Sequence, residues 1–117
     1  MQGLFFWYNS DVDIDFIKKN VNNNEYDLSL HAHNERQEER ITVDEIEKVL
    51  LKGAIIEQYP NDPRGRSCLV AGRVSEKPLH VVCGMRGKRL LIITVYRPRP
   101  PVWINYKIRT QEVKNRE

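Results

Sequence analysis

The sequence predicts an α+β fold, with two or three N-terminal helices packed on a four-stranded antiparallel sheet. Apolar residues up to about residue 53 recur at three- and four-residue spacing, as on helices. From Ala54 to Tyr96 the period changes to two, as in strands. Helices in one block followed by strands in another is the order of an α+β chain. At 117 residues the chain is one domain with room for a single core. It divides into an N-terminal extension with a helix (1–28), a core (29–104) and a charged tail (110–117) expected to fray.

Ser10 is placed as an N-cap, with Asp11, Asp13 and Asp15 near the positive end of the dipole and Lys18 and Lys19 near the other. That first helix is expected over Asp11 to Val21, ending in the turn-favouring run Asn22, Asn23, Asn24. LHAHNERQEER lacks β-branched residues and predicts a second helix over Leu30 to Arg40. Thr42 to Glu45 forms a capping box. Behind it Val43, Ile46, Val49 and Leu50 make one apolar stripe that Gly53 terminates.

AIIEQYP is the first expected strand, NDPRG a turn, SCLVAGR the second strand and SEKP a connection. Pro78 to Tyr96 then reads as a β-hairpin. Leu79, Val81, Cys83 and Met85 form one face of its first strand, and Leu91, Ile93 and Val95 the matching face of its second. Pairing apolar with apolar brings His80 level with Thr94 or Tyr96. Pro98, Pro100 and Pro101 end the sheet because proline cannot donate to a ladder, and Trp103, Ile104 and Tyr106 fold back as a last short segment.

The net charge of +3 conceals a division: residues 1–62 carry −7 and residues 63–117 carry +10. A basic half of this kind suits a polyanion, unless the two halves neutralise each other in the fold. Cys68 and Cys83, both within strands and not in a CxxC arrangement, read as buried reduced thiols. The opening MQGLFFWY lacks a basic leader and cleavage site and is too short to span a bilayer. The expectation is therefore a cytoplasmic protein without membrane contact, the opening serving as a strand or a partner-contact segment.

The hairpin gathers an imidazole, a hydroxyl and a phenol on one surface, with Arg86, Lys88 and Arg89 at its tip and Arg97 and Arg99 after it. On the second helix His33, Arg36, Gln37 and Arg40 share a face, and His31 lies near Glu35 and Glu38. A helix at the sheet edge would bring one of these histidines or Arg36 toward His80. Such a set suits RNA cleavage by internal transfer, which needs a base for the 2′-hydroxyl, an acid for the leaving 5′-oxygen and cations for the phosphorane. Histidine titrates near neutrality, and arginine donates bidentately to phosphate. No HExxH, Cys/His ligand spacing, Gly-rich phosphate loop or serine elbow is present, so neither metal nor cofactor is expected.

SLHAHNERQEERITVDEIEKVLLKGAIIEQYPNDPRGRSCLVAG, followed by PLHVVCG, IITVY and PPVW, resembles the domain-of-unknown-function family 4258 from about Ser29 to Trp103. The family pattern has Glu-Arg-Gly before the Ile that opens the third helix, whereas here Glu39-Arg40 leads straight into Ile41. The resemblance implies a helices-plus-sheet fold similar to RelE-like and barnase-like ribonuclease toxins. It also implies a small antitoxin partner with a zinc-finger or helix-turn-helix part. By that likeness His31, Arg36, His80, Thr94 and Tyr96 match the motif's polar positions, with Arg64 and Arg66 flanking the DPRG turn.

The resulting expectation is the toxin of a type II toxin–antitoxin system, a metal-independent endoribonuclease acting on mRNA, free or on the ribosome. His80 would serve as general acid or base and His31 as its complement, with Tyr96 and Thr94 beside them. Arg36 with Arg64 or Arg66 would clamp phosphate, and Arg86, Lys88, Arg89 and Arg97 would extend the RNA surface. On this reading His80→Ala stops cleavage without disturbing the fold. The alternative is a non-catalytic RNA- or protein-binding module, marked by a fully buried His80. A third reading is a structural partner protein that pairs through an exposed MQGLFFWY edge.

Overall fold

Asp13 opens the first helix: its carboxylate accepts the Asp15 N–H at 3.1 Å, and helix α1 runs Ile14–Asn22. The helix thus starts later than Asp11. The computed structural model describes residues 11–100, 102–105 and 107–109, so Ser10, the opening MQGLFFWY, Tyr106 and the tail lie outside the described residues. Asn24 turns the chain out of α1 at φ 56°, and Tyr26–Leu28 forms strand β1.

Ser29 does two jobs at once. Its hydroxyl caps helix α2, Leu30–Glu38, by accepting the Ala32 N–H at 3.0 Å, and donates to the Ile93 carbonyl at 2.8 Å. α2 ends before Arg40, because Arg40 takes a left-handed φ of 57°. In that conformation the Arg40 N–H reaches the Gln37 carbonyl and the Ile41 N–H the Arg36 carbonyl, the two bonds of a Schellman motif. Helix α3, Val43–Lys52, has the expected capping box between Thr42 and Glu45, and it buries Ile46, Val49 and Leu50. Gly53 stops it for lack of space: a Cβ there would lie 2.6 Å from the carbonyl oxygens of both Ala71 and Val49.

The strands that follow are β2 (Ala54–Tyr59), β3 (Ser67–Val74), β4 (Lys77–Arg86) and β5 (Arg89–Tyr96). β4 and β5 are joined by a two-residue turn with Gly87 first, at φ 60°. The sheet has five strands rather than four, in the order β1-β5-β4-β3-β2. The additional strand, β1, pairs in parallel with β5, and the other pairs are antiparallel. Trp103–Asn105 (β6) and Ile108–Arg109 (β7) form a separate two-stranded hairpin.

Both outer strands are partly covered. The Gln58 amide on β2 exchanges hydrogen bonds with the Val12 backbone, at 2.9 and 3.0 Å. Beyond the end of β1, Glu35 accepts the Val95 N–H of β5 at 3.0 Å. Such cover blunts a sheet edge against pairing with other chains.

The core lies between the helices and one sheet face. Ile17, Val21, Ala32, Ile46 and Leu50 pack against Cys68, Val70, Leu79, Val81, Cys83, Leu90, Ile92 and Val95. Leu79, Val81 and Cys83 thus form a core-facing set as the alternation implies. On β5 the alternation is interrupted: the register shifts between Val82 and Cys83, so Ile92 opposes Cys83 while Thr94 opposes Val82. This irregularity puts Leu90, Ile92 and Val95 in the core instead of Leu91, Ile93 and Val95. Cys68 and Cys83 are direct cross-strand partners, both free thiols and fully buried. A hydrogen bond donated to Cys68, followed by burial, pushes the Cys83 thiol up, away from the reactive thiolate. Among the described residues no helix is long and apolar enough to cross a membrane.

Candidate functional site

The sheet face away from the helices carries the polar cluster. With Leu79 and Val81 turned into the core, strand alternation turns His80 to the opposite face. There it pairs with Ala71 on β3 and Tyr96 on β5. Its exposure is 0 %. His80 Nδ1 lies 3.0 Å from the Tyr96 hydroxyl. The Trp103 ring crosses the imidazole edge-on, with centroids 4.5 Å apart and planes at 88°.

Tyr96 also accepts a hydrogen bond from the Trp103 indole. Burial pushes the Tyr96 phenol up, partly opposed by Arg109.

Arg109 continues the chain of contacts. Its guanidinium lies 4.7 Å from the Trp103 ring centre and donates in a fork to Glu57, at 3.1 and 3.0 Å. The Tyr59 hydroxyl donates to the same carboxylate at 2.5 Å. Burial and then that bond push the Tyr59 phenol well above its ordinary value. Glu57 opposes Leu69, which opposes Val82, which opposes Thr94. Thr94 therefore shares the face of His80 and Tyr96. Glu57 and His80 lie two strands apart and two residues out of line, since they oppose Leu69 and Ala71 of β3, which at ordinary strand spacing and rise is about 12 Å.

Among the residues expected from sequence, the fold thus brings together His80, Tyr96 and Thr94. It keeps His31 and Arg36 elsewhere, on a helix whose Ala32 enters the core on the other side of the sheet. His31 is exposed, its Nε2 3.2 Å from Glu35. Arg36 is half-buried and donates to the Ile41 carbonyl at 3.2 Å, tying the end of α2 to the chain beyond it.

Five arginines of the basic half pair with carboxylates of the acidic half. Arg64 forks onto Asp62, Arg89 pairs with Asp27, Arg97 with Glu45, Arg99 with Glu39 and Arg109 with Glu57. Arg97 also donates to the Pro78 carbonyl. Much of the charge division is therefore neutralised within the molecule. Arg66 is exposed beside the DPRG turn, and Arg86 and Lys88 are exposed at the β4–β5 tip.

Glu57, Tyr59, Trp103 and Arg109 were not singled out as site residues by the sequence. Glu57 and Tyr59 carry a usable signal, since their two-residue spacing in AIIEQY puts both on one strand face. Arg109 carries none, because a contact between residues 57 and 109 has no periodicity to reveal it. Among the described residues no group of three or more His, Cys, Asp and Glu side chains is placed to hold a metal.

Fold and site together define an α+β domain with a closed polar cluster on the sheet face opposite its helices. The family described as a domain of unknown function, DUF4258, matches residues 28–97, and the chain belongs to it. No curated protein and no solved structure matches. The matched span contains His80, Tyr96, Glu57 and Tyr59, while Trp103 and Arg109 lie beyond it.

Proposed function

We propose that the protein is a metal-independent endoribonuclease, the toxin of a type II toxin–antitoxin system, with a RelE-like or barnase-like architecture. Its working groups are those of the sheet face opposite the helices. The observation that carries this reading is the grouping of Glu57, Tyr59, His80, Tyr96 and Arg109 on that face and under its hairpin. A carboxylate, an imidazole, phenols and a guanidinium are the groups that in-line transfer of a phosphodiester requires.

Glu57 takes the role expected of His31. One of Glu57 and His80 removes the 2′-hydroxyl proton as O2′ bonds to phosphorus. The other protonates O5′ as the P–O5′ bond breaks, leaving a 2′,3′-cyclic phosphate and a 5′-hydroxyl. Arg109, released from Glu57, binds the phosphorane oxygens. Trp103 must withdraw for RNA to reach His80, and the antitoxin is a zinc-finger or helix-turn-helix protein.

A specific observation favours a second reading, a non-catalytic RNA- or protein-binding module. His80 has no solvent exposure and is enclosed by Tyr96 and Trp103. In that case the cluster only holds the C-terminal hairpin to the sheet.

The test is incubation of the purified chain with end-labelled RNA in EDTA, with and without ribosomes, beside Glu57→Gln and His80→Gln. Cleavage by the wild type alone, leaving cyclic phosphate ends, supports the ribonuclease. Equal cleavage by all three, or none on either substrate, leaves the binding module.

A further inference from the structure

The fork between Arg109 and Glu57 meets solvent where His80 does not. The two side chains of the fork keep 20 % and 21 % of their surface exposed, whereas Trp103 is 3 % exposed and His80 0 %. An anion arriving from solution at this face therefore reaches the guanidinium before it can reach the imidazole.

The element that carries Arg109 is built to move as a unit. β6 and β7 hydrogen-bond to each other as a separate sheet, with Trp103 and Arg109 as direct partners across it. The guanidinium also lies against the Trp103 ring, so the residue on Glu57 and the residue on His80 are tied together. The chain before the hairpin is pinned to the core, Arg97 by Glu45 and the Pro78 carbonyl and Arg99 by Glu39 at 2.9 Å. The Trp103 N–H returns to the Arg99 carbonyl at 3.2 Å, which puts the pivot of the hairpin between these two residues.

We infer that the hairpin is a lid opened by the phosphodiester backbone of single-stranded RNA, an inference that rests on the reading above that RNA is bound at this face. In the closed form Glu57 accepts the Arg109 fork and the Tyr59 hydroxyl, and Trp103 encloses the imidazole. A partly exposed ion pair is weakened by water and salt, and a phosphate offers the same guanidinium an equivalent pair of acceptors. Arg109 exchanges the Glu57 oxygens for phosphate oxygens, Trp103 leaves with it, and Glu57 and His80 are uncovered in one movement. A backbone does this better than single ions because linked phosphates hold a high local concentration beside Arg109.

The test is the rate at which diethyl pyrocarbonate modifies His80 in the wild-type chain, read by peptide mapping with exposed His31 as the internal standard. The probe is a short abasic phosphodiester oligomer, which has the backbone charge but no base to cover His80 and no 2′-hydroxyl to be cleaved. The oligomer is expected to raise the His80 rate severalfold over sodium chloride of equal ionic strength, with His31 unchanged. Inorganic phosphate at the same phosphate concentration is expected to do much less. Glu57→Gln, which takes the charge from the fork, is expected to raise the rate severalfold without any oligomer. A His80 rate that the oligomer leaves unchanged, an equal rise with inorganic phosphate or sodium chloride, or an unchanged rate in Glu57→Gln overturns the lid. Opening by the oligomer without cleavage of RNA, free or on ribosomes, leaves the lid standing and the ribonuclease refuted. Cleavage with no change at His80 does the reverse.

Discussion

Glu35 of helix α2 accepts the backbone N–H of Val95 on strand β5 at 3.0 Å. A side chain thus occupies a position that a neighbouring strand would otherwise fill, because β1 pairs with β5 only as far as Ile92. Glu39 repeats the arrangement one helical turn later with the Arg97 N–H, at 3.4 Å. α2 buries only Ala32, so it is held to the sheet edge chiefly by these carboxylates and by Ser29.

Glu35→Ala is expected to destabilise the fold by about 1.5–3 kcal/mol, the range for a hydrogen bond to a charged group. Glu35→Gln keeps an acceptor oxygen and should lose less than half as much. Urea unfolding of the two variants measures the difference. Equal losses would mean that the carboxylate acts through charge and not as the acceptor for Val95.

Arg40 holds the left-handed position of the Schellman motif at φ 57°, a conformation that favours glycine. A residue with a Cβ is strained there by about 1–2 kcal/mol, offset in part by the extra freedom of glycine in the unfolded chain. Arg40→Gly should therefore stabilise the protein by about 0.5–1 kcal/mol. Thermal denaturation reads this, and a lower melting temperature would contradict it.

Acid should weaken the turn after β2. The side-chain fork of Arg64, with its backbone N–H, lowers the Asp62 carboxyl to about 2, below an unfolded value of about 3.9. A folded value below the unfolded one gives stability that is complete above about pH 4 and fades as pH falls toward about 2. Asp62→Asn should melt below the wild type at neutral pH, with the gap closing toward pH 2. A gap independent of pH would show that the pair contributes no charge-dependent stability.

His80→Ala was expected from sequence to spare the fold, and the full burial of His80 makes that substitution unsuitable. Removing a buried ring of this size costs about 3 kcal/mol or more. His80→Gln retains more volume and is the better probe of cleavage.

The hairpin of β6 and β7 hydrogen-bonds as a sheet of its own and meets the main sheet through Trp103 and the Arg109–Glu57 fork. Arg109→Ala should raise the rate at which diethyl pyrocarbonate modifies His80 severalfold, with little change in the melting temperature. An unchanged rate would mean that Trp103 closes the face without help from Arg109.

What the sequence determined by itself is local or joins neighbours along the chain. The Thr42–Glu45 box depends on contacts within a few residues, whereas Gly53 is confined both by Val49 in its own helix and by Ala71 on a later strand. That His80 comes level with Thr94 or Tyr96 follows from matching the apolar faces of the hairpin, and the irregularity between Val82 and Cys83 selects Tyr96. The family pattern likewise lies within residues that the chain presents in order. The tertiary structure alone decided what depends on distant partners. Strand β1 has only three residues and exists because β5, more than sixty residues on, offers an edge. The β5 irregularity that sends Ile92 rather than Ile93 into the core arises in its pairing with β4. His31 and Arg36 are kept from His80 because α2 packs along the edge on the helix side, whereas Glu57 and Arg109 meet on the other face. Periodicity specifies which side of its own element a residue occupies, but packing between elements selects what it faces.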